Sequence, residues 1–295
     1  MLTDTEKQKI INHFGESFYQ RMCSVLEKYA SAWRLEQVAL IDYFSVNCLF
    51  TCHSKIYGDS VLKICRSSDE IVTEIRTLQE YDGSAFCKVF AFSAEDGAVL
   101  EEVILPGTQL RAVSSTEERL KIFLALYTKL HIVPKVAEEY PTYGQWVERI
   151  TQFMEARDDQ RELCGYMKKA RDVYWHVHEK YNQEMLLHGD FHHDNILLGT
   201  EGRYQIIDPK GVVDDPIFDI PRFLLNECRD DWTSDENERH IARVIHWIGA
   251  ETGLPAEDIR KVFFVEMAMA NCWCVESNEE PNMAEVKMAY QMLNQ

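Results

Sequence analysis

The chain has 295 residues, of which 46% are hydrophobic and 27% charged, and 31 Lys and Arg against 49 Asp and Glu give a formal net charge of −18. This composition indicates a globular protein and disfavours a disordered chain, a protein that coats nucleic-acid phosphates, and attachment to anionic lipid. The longest uncharged run, residues 43–54, is shorter than the roughly 18 apolar residues of a membrane span. The N-terminus lacks the apolar segment of a signal peptide.

Nine cysteines are scattered along the chain without a C-x-x-C pair. The sequence therefore indicates neither a zinc ribbon nor a disulfide framework. Together with the acidic composition, this pattern predicts a cytoplasmic, monomeric protein with no nucleic-acid or membrane partner.

The first third of the chain changes from a helical to a strand pattern. Apolar residues spaced by three and four predict one helix over residues 4–30. Short segments between turn residues then predict five strands, at 39–44, 48–53, 60–65, 86–92 and 98–103. Between the third and fourth strands, Ser67 and Glu70 predict a capping box. The helix that follows has a buried stripe formed by Ile71, Ile75 and Leu78.

The chain after Leu105-Pro106-Gly107 is mainly helical. Ser115 and Glu118 cap the first helix, and apolar periodicity predicts further helices within 145–181, 218–229, 237–251 and 256–275. We therefore predict an α+β fold with two lobes. Residues 1–105 form an N-terminal helix and a small five-stranded antiparallel lobe, and residues 106–295 form a larger helical lobe. A ligand is expected in the cleft between the two lobes.

One stretch of the helical lobe carries a known pattern of polar residues. His188, Asp190 and Asn195 have the H-x-D-x-x-x-x-N spacing of kinase catalytic loops. Two apolar runs around a turn at 199–203 predict a β-hairpin, and antiparallel pairing of these runs brings Asn195 beside Asp208. An amide oxygen next to a carboxylate suits Mg²⁺ carried by nucleotide phosphates. We therefore predict that these two residues are metal ligands and that Asp190 accepts the proton of a substrate hydroxyl.

A lysine of the sheet lobe provides an independent indication. On the third predicted strand, Lys63 shares a face with Val61 and Cys65, and an unpaired ammonium is costly to bury. At about 100° per residue, Glu74 falls at the edge of the buried stripe of the next helix. We predict a Lys63–Glu74 ion pair that holds the ammonium against the α- and β-phosphates of a nucleotide.

The catalytic loop also allows a different chemistry. A metal-dependent hydrolase is the alternative, because imidazole and carboxylate groups can bind zinc or iron. The candidate ligands are His188, Asp190, His192, His193 and Asp194. That alternative gives no role to Lys63, to the hairpin or to Asp208, so the kinase interpretation is favoured. His188 is then expected to support the loop.

Two stretches resemble a known family. The sequence LHGDFHHDNI at 187–196, with IDPKGVV at 207–213, resembles the aminoglycoside and hydroxyurea antibiotic-resistance kinases, of which streptomycin 6-phosphotransferases are the best-known members. The resemblance is dense over 186–222 and looser over 43–110. It implies a protein-kinase-like fold and Mg²⁺-dependent transfer of a phosphoryl group from ATP or GTP to a hydroxyl of a small molecule.

The resemblance also implies roles for individual residues. Asp190 corresponds to the catalytic base, and Asn195 and Asp208 correspond to the metal ligands. Lys63 corresponds to the lysine that binds phosphates, and Asp219 would anchor the catalytic loop through its backbone amides.

The purine and phosphate contacts follow the family less closely. By resemblance, the backbone of Glu102 and of Ile104 would contact the purine. The nucleotide-covering loop, residues 44–48, has no glycine, unlike its protein-kinase counterpart. Phosphate contact there would fall to the Ser45 hydroxyl and to main-chain N–H groups.

The excess of acidic over basic residues indicates which kind of acceptor the protein could bind. Residues 226–287 hold 14 Asp and Glu against 6 Lys and Arg, and carboxylates in a cleft would attract a cationic or polyhydroxylated substrate. The candidate substrate residues are Asp230, Asp231, Glu266 and Glu276. Three functions stay open: an aminoglycoside-type kinase, a kinase of a metabolite such as an amino sugar or amino alcohol, and a nucleotide-binding protein without turnover. The intact motif residues disfavour the third.

Overall fold

The computed structural model describes residues 2–42, 44, 46–65 and 69–293. The chain forms two compact units. The first comprises Met1–Thr108 and Leu197–Asp208, and the second comprises Gln109–Ile196 and Pro209–Gln295. The first unit is therefore discontinuous in sequence. The division into domains at 105/106 stays a prediction.

Two helices, α1 (Asp4–Phe14) and α2 (Glu16–Ala32), begin the first unit where the apolar spacing predicts one. The break lies at Gly15, whose φ of +91° is outside the helical region. The apolar stripe continues across the break, and the rings of Phe14 and Phe18 stack with centroids 4.5 Å apart. Because the stripe is continuous, periodicity does not reveal the interruption.

A five-stranded antiparallel sheet follows, with the order β1-β2-β3-β5-β4. Its strands are β1 (Leu35–Leu40), β2 (Asn47–Ser54), β3 (Gly58–Cys65), β4 (Val89–Ser93) and β5 (Ala98–Glu102). β1 begins before the predicted 39–44. The first residues of the strand do not show the expected pattern, because an irregularity between Glu36 and Ala39 interrupts the regular alternation of side chains. The predicted five-stranded antiparallel sheet is confirmed.

The core of the first unit lies between its N-terminal helices and the sheet. α3 (Asp69–Tyr81) connects β3 to β4 and buries the predicted stripe. The capping box predicted at Ser67 lies outside the described residues. Fully buried side chains of the helices and the sheet include Ile10, Met22, Phe50, Leu62 and Leu100. Each large apolar side chain buried in this way contributes roughly 1.5–3 kcal/mol.

A hairpin completes the first unit. Its strands are β8 (Ile196–Leu198) and β9 (Tyr204–Ile206), and the short strand β6 (Thr108–Gln109) lies beside β8. The N–H of Gly199 donates to the carbonyl of Arg203 at 2.7 Å, which closes the turn. The sequence predicts this hairpin, which leads the chain to Asp208.

The second unit is mainly helical. Its helices are α4 (Thr116–Leu130), α5 (Tyr143–Glu155), α6 (Arg161–Lys180), α7 (Ile220–Glu227), α8 (Ser234–Thr252), α9 (Ala256–Glu276) and α10 (Met283–Met292). β7 (Met185–Leu187) pairs antiparallel with β10 (Val212–Asp214). α10 lies beyond the predicted helices. Within the described residues, no helix is sufficiently long and apolar to cross a membrane.

Candidate active site

Lys63 lies on β3, the central strand of the sheet, opposite Leu49 of β2 and Val99 of β5. Its side chain is only 2% exposed. The ammonium donates to a carboxylate oxygen of Glu74 on α3 and to one of Asp208. The structure therefore places the predicted Lys63–Glu74 pair in contact and adds the carboxylate of Asp208 to it.

A third carboxylate, that of Glu101 on β5, lies 3.7 Å from the ammonium of Lys63. Burial disfavours the charged form of the lysine, but the carboxylates of Asp208, Glu101 and Glu74 outweigh burial and raise the pKa of Lys63 well above its ordinary value. Burial raises the pKa of Glu101 to about 8, although Lys63 opposes this shift. Glu101 is therefore mostly protonated at neutral pH.

Glu101 is absent from the residues that the motifs predict. Only the pairing of strands identifies Glu101 as a neighbour of Lys63, because Glu101 lies opposite Val61, two residues before Lys63. Alternation along the strands then puts Glu101 on the same face of the sheet as Lys63. Because this pairing joins distant parts of the chain, the local pattern around Glu101 does not reveal it.

The residues predicted to contact the purine and the phosphates lie near the end of β5 or outside the described part. Glu102 is the last residue of β5, and its N–H donates to the carbonyl of Lys88 at 2.8 Å. Ile104 follows two positions later and is buried. Ser45 lies outside the described residues.

Asp208 follows the hairpin in an unusual backbone conformation. Its φ is +56°, in the left-handed region that Asp and Asn tolerate better than most side chains. The hairpin is attached to the residues before β4, because the N–H of Cys87 donates to the carbonyl of Ile206 at 3.0 Å. This attachment brings the carboxylate of Asp208 to Lys63, and the carboxylate remains 39% exposed.

In the second unit, a buried carboxylate holds the backbone of the loop after β7. The N–H groups of His188 and Gly189 donate to the two oxygens of Asp219, each at 2.8 Å. His131 Nε2 lies 3.0 Å from the same carboxylate. The Nδ1 atom of His188 accepts the N–H of Asp190 at 3.1 Å. Asp219 and His188 thus shape the loop immediately before the predicted base.

Basic groups surround the carboxylate of Asp190. Arg222 Nε lies 3.2 Å from Oδ1, and His192 Nε2 lies 3.6 Å from the same oxygen. Burial acts to raise the pKa of Asp190, but Arg222, His192 and Lys210 outweigh burial and lower this pKa far below its ordinary value. Asp190 is therefore ionised across the physiological pH range.

Asn195 presents one atom suited to a metal ion. Its amide nitrogen Nδ2 donates a hydrogen bond to the backbone carbonyl of Asp190 at 2.9 Å. This bond orients the amide, and Oδ1 is then the atom of the side chain that can bind a metal ion. An amide oxygen is a hard oxygen ligand of the kind that Mg²⁺ takes, and the carboxylate of Asp208 in the first unit is another, so the chemistry of each donor fits this ion. Among the described residues, no three His, Cys, Asp or Glu side chains are grouped to hold a metal ion, as the hydrolase alternative requires.

Three of the four predicted substrate carboxylates already have arginine partners. Glu266 is 2% exposed, with Arg222 Nε 2.9 Å from Oε1, and its other oxygen accepts the hydroxyl of Tyr143. Glu276 accepts two hydrogen bonds from Arg149, and Asp231 accepts two from Arg229. Asp230 is exposed. Burial raises the pKa of Glu266, and Arg222 opposes this shift.

A buried network around Glu227 lies outside the predicted site residues. Its carboxylate accepts hydrogen bonds from Arg119 at 2.6 and 2.7 Å and lies 2.9 Å from His193 Nε2 and 3.0 Å from His240 Nε2. Burial acts to raise the pKa of Glu227, but these three partners outweigh it and lower the pKa. No local sequence signal identifies the network, because its members come from four separate segments.

The fold belongs to a known structural class. Choline kinase LicA from Streptococcus pneumoniae is 15% identical with a TM-score of 0.63, covering 93% of this chain and 98% of that one. A thermostable mutant of the aminoglycoside phosphotransferase APH(4)-Ia, in complex with ADP and hygromycin B, is 14% identical with a TM-score of 0.59, covering 92% and 97%. The protein-kinase-like fold predicted from the sequence is therefore confirmed.

The sequence comparison identifies the family. The signature of the aminoglycoside/hydroxyurea antibiotic resistance kinases matches residues 34–277, so the chain belongs to this family of kinases. Streptomycin 6-kinase from Streptomyces griseus is 22% identical over 167 residues. The match covers 55% of this chain and spans about half, 53%, of the length of that relative. The family predicted from the motif residues is confirmed.

Proposed function

We propose that the chain transfers the γ-phosphoryl group of ATP or GTP to a hydroxyl group of a small molecule. The observation that carries this proposal is the buried ammonium of Lys63, held by the carboxylates of Glu74 and Asp208. A lysine fixed on a rigid strand is a preorganised partner for nucleotide phosphates. The loop of Asp190, fixed through Asp219, supplies the second element of a phosphoryl-transfer site.

Each of these groups has a distinct role in the proposed reaction. Lys63 binds the α- and β-phosphates, and Asn195 and Asp208 hold Mg²⁺. Bound Mg²⁺ neutralises charge on the phosphates. Asp190 orients the acceptor hydroxyl and takes up its proton, while Arg222 keeps the carboxylate ionised. A base of low pKa suits this role, because the loose transition state of phosphoryl transfer needs positioning more than early proton removal.

The nucleotide contacts follow the family resemblance. The backbone of Glu102 and of Ile104 binds the purine, and the Ser45 hydroxyl covers the phosphates with main-chain N–H groups. The ADP in the APH(4)-Ia complex supports a nucleotide co-substrate. Free cysteines and the acidic composition support a cytoplasmic, monomeric protein.

The acceptor has two candidate classes. Family membership supports an aminoglycoside-like compound. The other candidate is a metabolite with fewer charges, such as an amino sugar or amino alcohol. It is favoured because Asp231, Glu266 and Glu276 are already paired with arginines and so attract a cation less strongly. A nucleotide-binding protein without turnover is the third possibility, and the retained motif residues argue against it: Lys63, Asp190, Asn195 and Asp208.

A coupled assay of ADP or GDP release tests the proposal. The acceptors are aminoglycosides, amino sugars, amino alcohols and hydroxyurea, each assayed with ATP and with GTP. We expect acceptor-dependent release, and Asp190→Asn should lower kcat by about 100-fold or more with nucleotide affinity retained.

The matched control is Asp194→Asn in the same loop. Its carboxylate accepts two hydrogen bonds from Arg111, at 2.7 and 2.8 Å, and it has no proposed catalytic role. This variant should keep kcat within a few-fold of the native value. Normal turnover by Asp190→Asn would refute the assigned base, and the absence of acceptor-dependent release would refute the kinase proposal.

A further inference from the structure

We propose that the acceptor carries at most one positive charge and that Arg222 sets this preference by neutralising the carboxylates beside the acceptor position. The inference rests on the proposed function and narrows its acceptor class. It concerns residues of the second unit alone.

The immediate surroundings of Asp190 are not acidic. Arg222 and His192 face its carboxylate at 3.2 and 3.6 Å, and Lys210 acts on it electrostatically. The guanidinium of Arg222 also lies over the ring of Trp273, 5.1 Å from the centroid. One carboxylate thus has two permanent cations and an imidazole around it.

The second carboxylate near the base is already engaged. Glu266 is buried, with its Oε1 2.9 Å from Arg222 Nε and its Oε2 bonded to the hydroxyl of Tyr143. Arg222 is therefore shared between Asp190 and Glu266. An ammonium group of a substrate that approached either carboxylate would come close to this guanidinium.

Aromatic side chains form the neutral part of these surroundings. The rings of Trp146 and Trp273 meet edge to face with centroids 6.2 Å apart, and both are partly exposed. Trp146 also lies against Gly189, where a Cβ atom would come within 2.8 Å of the indole. The residue before the base therefore contacts an indole.

This distribution of charge has a consequence for binding. Arg222 offsets part of the negative charge of Asp190 and Glu266, so a polycationic acceptor gains little attraction there, and the guanidinium repels those of its charges that come close while its hydroxyl approaches Asp190. A neutral polyol, hydroxyurea or a compound with one amine avoids most of this repulsion. The surroundings of Asp190 thus select against high positive charge.

Acceptors matched in shape but different in charge test the inference. The panel pairs neutral hexoses and cyclitols with their amino derivatives, and adds hydroxyurea and hygromycin B. We expect kcat/KM to fall by at least about tenfold from neutral or singly charged acceptors to polycations. A preference of the native enzyme for polycations would overturn the inference while leaving the proposed function intact. The absence of transfer to any acceptor would overturn both.

The variant Arg222→Gln tests the role of Arg222 in charge preference through a ratio of two kcat/KM values. We expect the ratio of kcat/KM for a neutral acceptor to that for its amino derivative to fall by about tenfold, because one repelling charge is removed. Loss of folded protein or of base positioning affects both acceptors equally and cancels in this ratio. The control is Lys121→Gln, which removes an exposed lysine–glutamate pair on α4 and should leave the ratio unchanged. An unchanged ratio in Arg222→Gln would overturn the role of Arg222.

Discussion

The ammonium of Lys63 faces three carboxylates, so its immediate surroundings hold more acid than base. Glu74 and Asp208 contact the ammonium directly, whereas Glu101 lies at 3.7 Å. Since Glu101 is also buried, its ionised form has the weakest compensation of the three carboxylates. Protonation of Glu101 relieves the excess negative charge near neutral pH.

The raised pKa of Glu101 predicts a pH-dependent stability. The unfolded carboxyl ionises near its ordinary pKa of 4.5, whereas the folded group holds its proton until about pH 8. The folded state is therefore favoured below pH 4.5, and this contribution is lost as pH rises towards 8. Glu101→Gln does not titrate, so its free energy of unfolding should gain at least about 1 kcal/mol relative to the native chain between pH 5 and pH 8.

Urea unfolding at several pH values measures this difference. The control is Glu36→Gln in the same unit, whose carboxylate is 52% exposed beside Lys55. That variant should change stability little at every pH, since exposed pairs contribute little. A constant difference between Glu101→Gln and the native chain would contradict the raised pKa.

The residues of the candidate site differ in how far the sequence predicts them. The contact of Lys63 with Glu74 could be predicted, because strand alternation and helix periodicity orient both side chains. The contacts of Arg222 with Asp190 and of Glu101 with Lys63 could not, since each joins residues more than 30 positions apart. Tertiary packing alone determines such pairs.

The network of Glu227 joins elements of the second unit. The carboxylate, at the end of α7, bonds Arg119 of α4 and His240 of α8 and lies beside His193 of the catalytic loop. The ring of His193 also stacks on Phe223, with centroids 4.4 Å apart. One buried carboxylate therefore ties three helices to the loop that holds Asp190.

Removal of this carboxylate charge should be strongly destabilising. Glu227→Gln leaves the guanidinium of Arg119, whose side chain is only 15% exposed, and the ring of His193 without their carboxylate partner, and we expect a loss of about 3–5 kcal/mol in the free energy of unfolding. The matched exposed pair is Glu276 with Arg149, where Glu276→Gln should cost at most about 1 kcal/mol. Chemical unfolding of both variants measures the contrast, and equal losses would show that Glu227 is no more important than a surface residue.

The elements show where pattern-based prediction ends. The hairpin before Asp208 could be predicted because two apolar runs flank a glycine-containing turn. The separation of α1 from α2 and the early start of β1 could not, because Gly15 and the irregularity after Glu36 change the backbone without changing the apolar pattern. Backbone conformation at single residues, rather than burial, determines these boundaries.

At the level of the whole chain, the proposed function requires that nucleotide binding stabilise the folded state. A ligand at 100 times its Kd adds about 2.7 kcal/mol. For a chain of this size, that gain should raise Tm by roughly 5–10 °C. We expect this shift with Mg²⁺ and a non-hydrolysable ATP analogue, and a smaller one when EDTA replaces Mg²⁺.

The variant Asp208→Asn separates the metal-dependent part of this stabilisation from folding. Asn tolerates the φ of +56° at this position, so the backbone is retained while the carboxylate charge is lost. The Mg²⁺-dependent part of the Tm shift should disappear in this variant, whereas Glu36→Gln should show the full shift. Because each variant is compared with and without nucleotide, a change in its own stability does not affect the result. An undiminished Mg²⁺-dependent shift of Tm in Asp208→Asn would refute Asp208 as a metal ligand. The metal–nucleotide complex would then bind equally well without the carboxylate of Asp208.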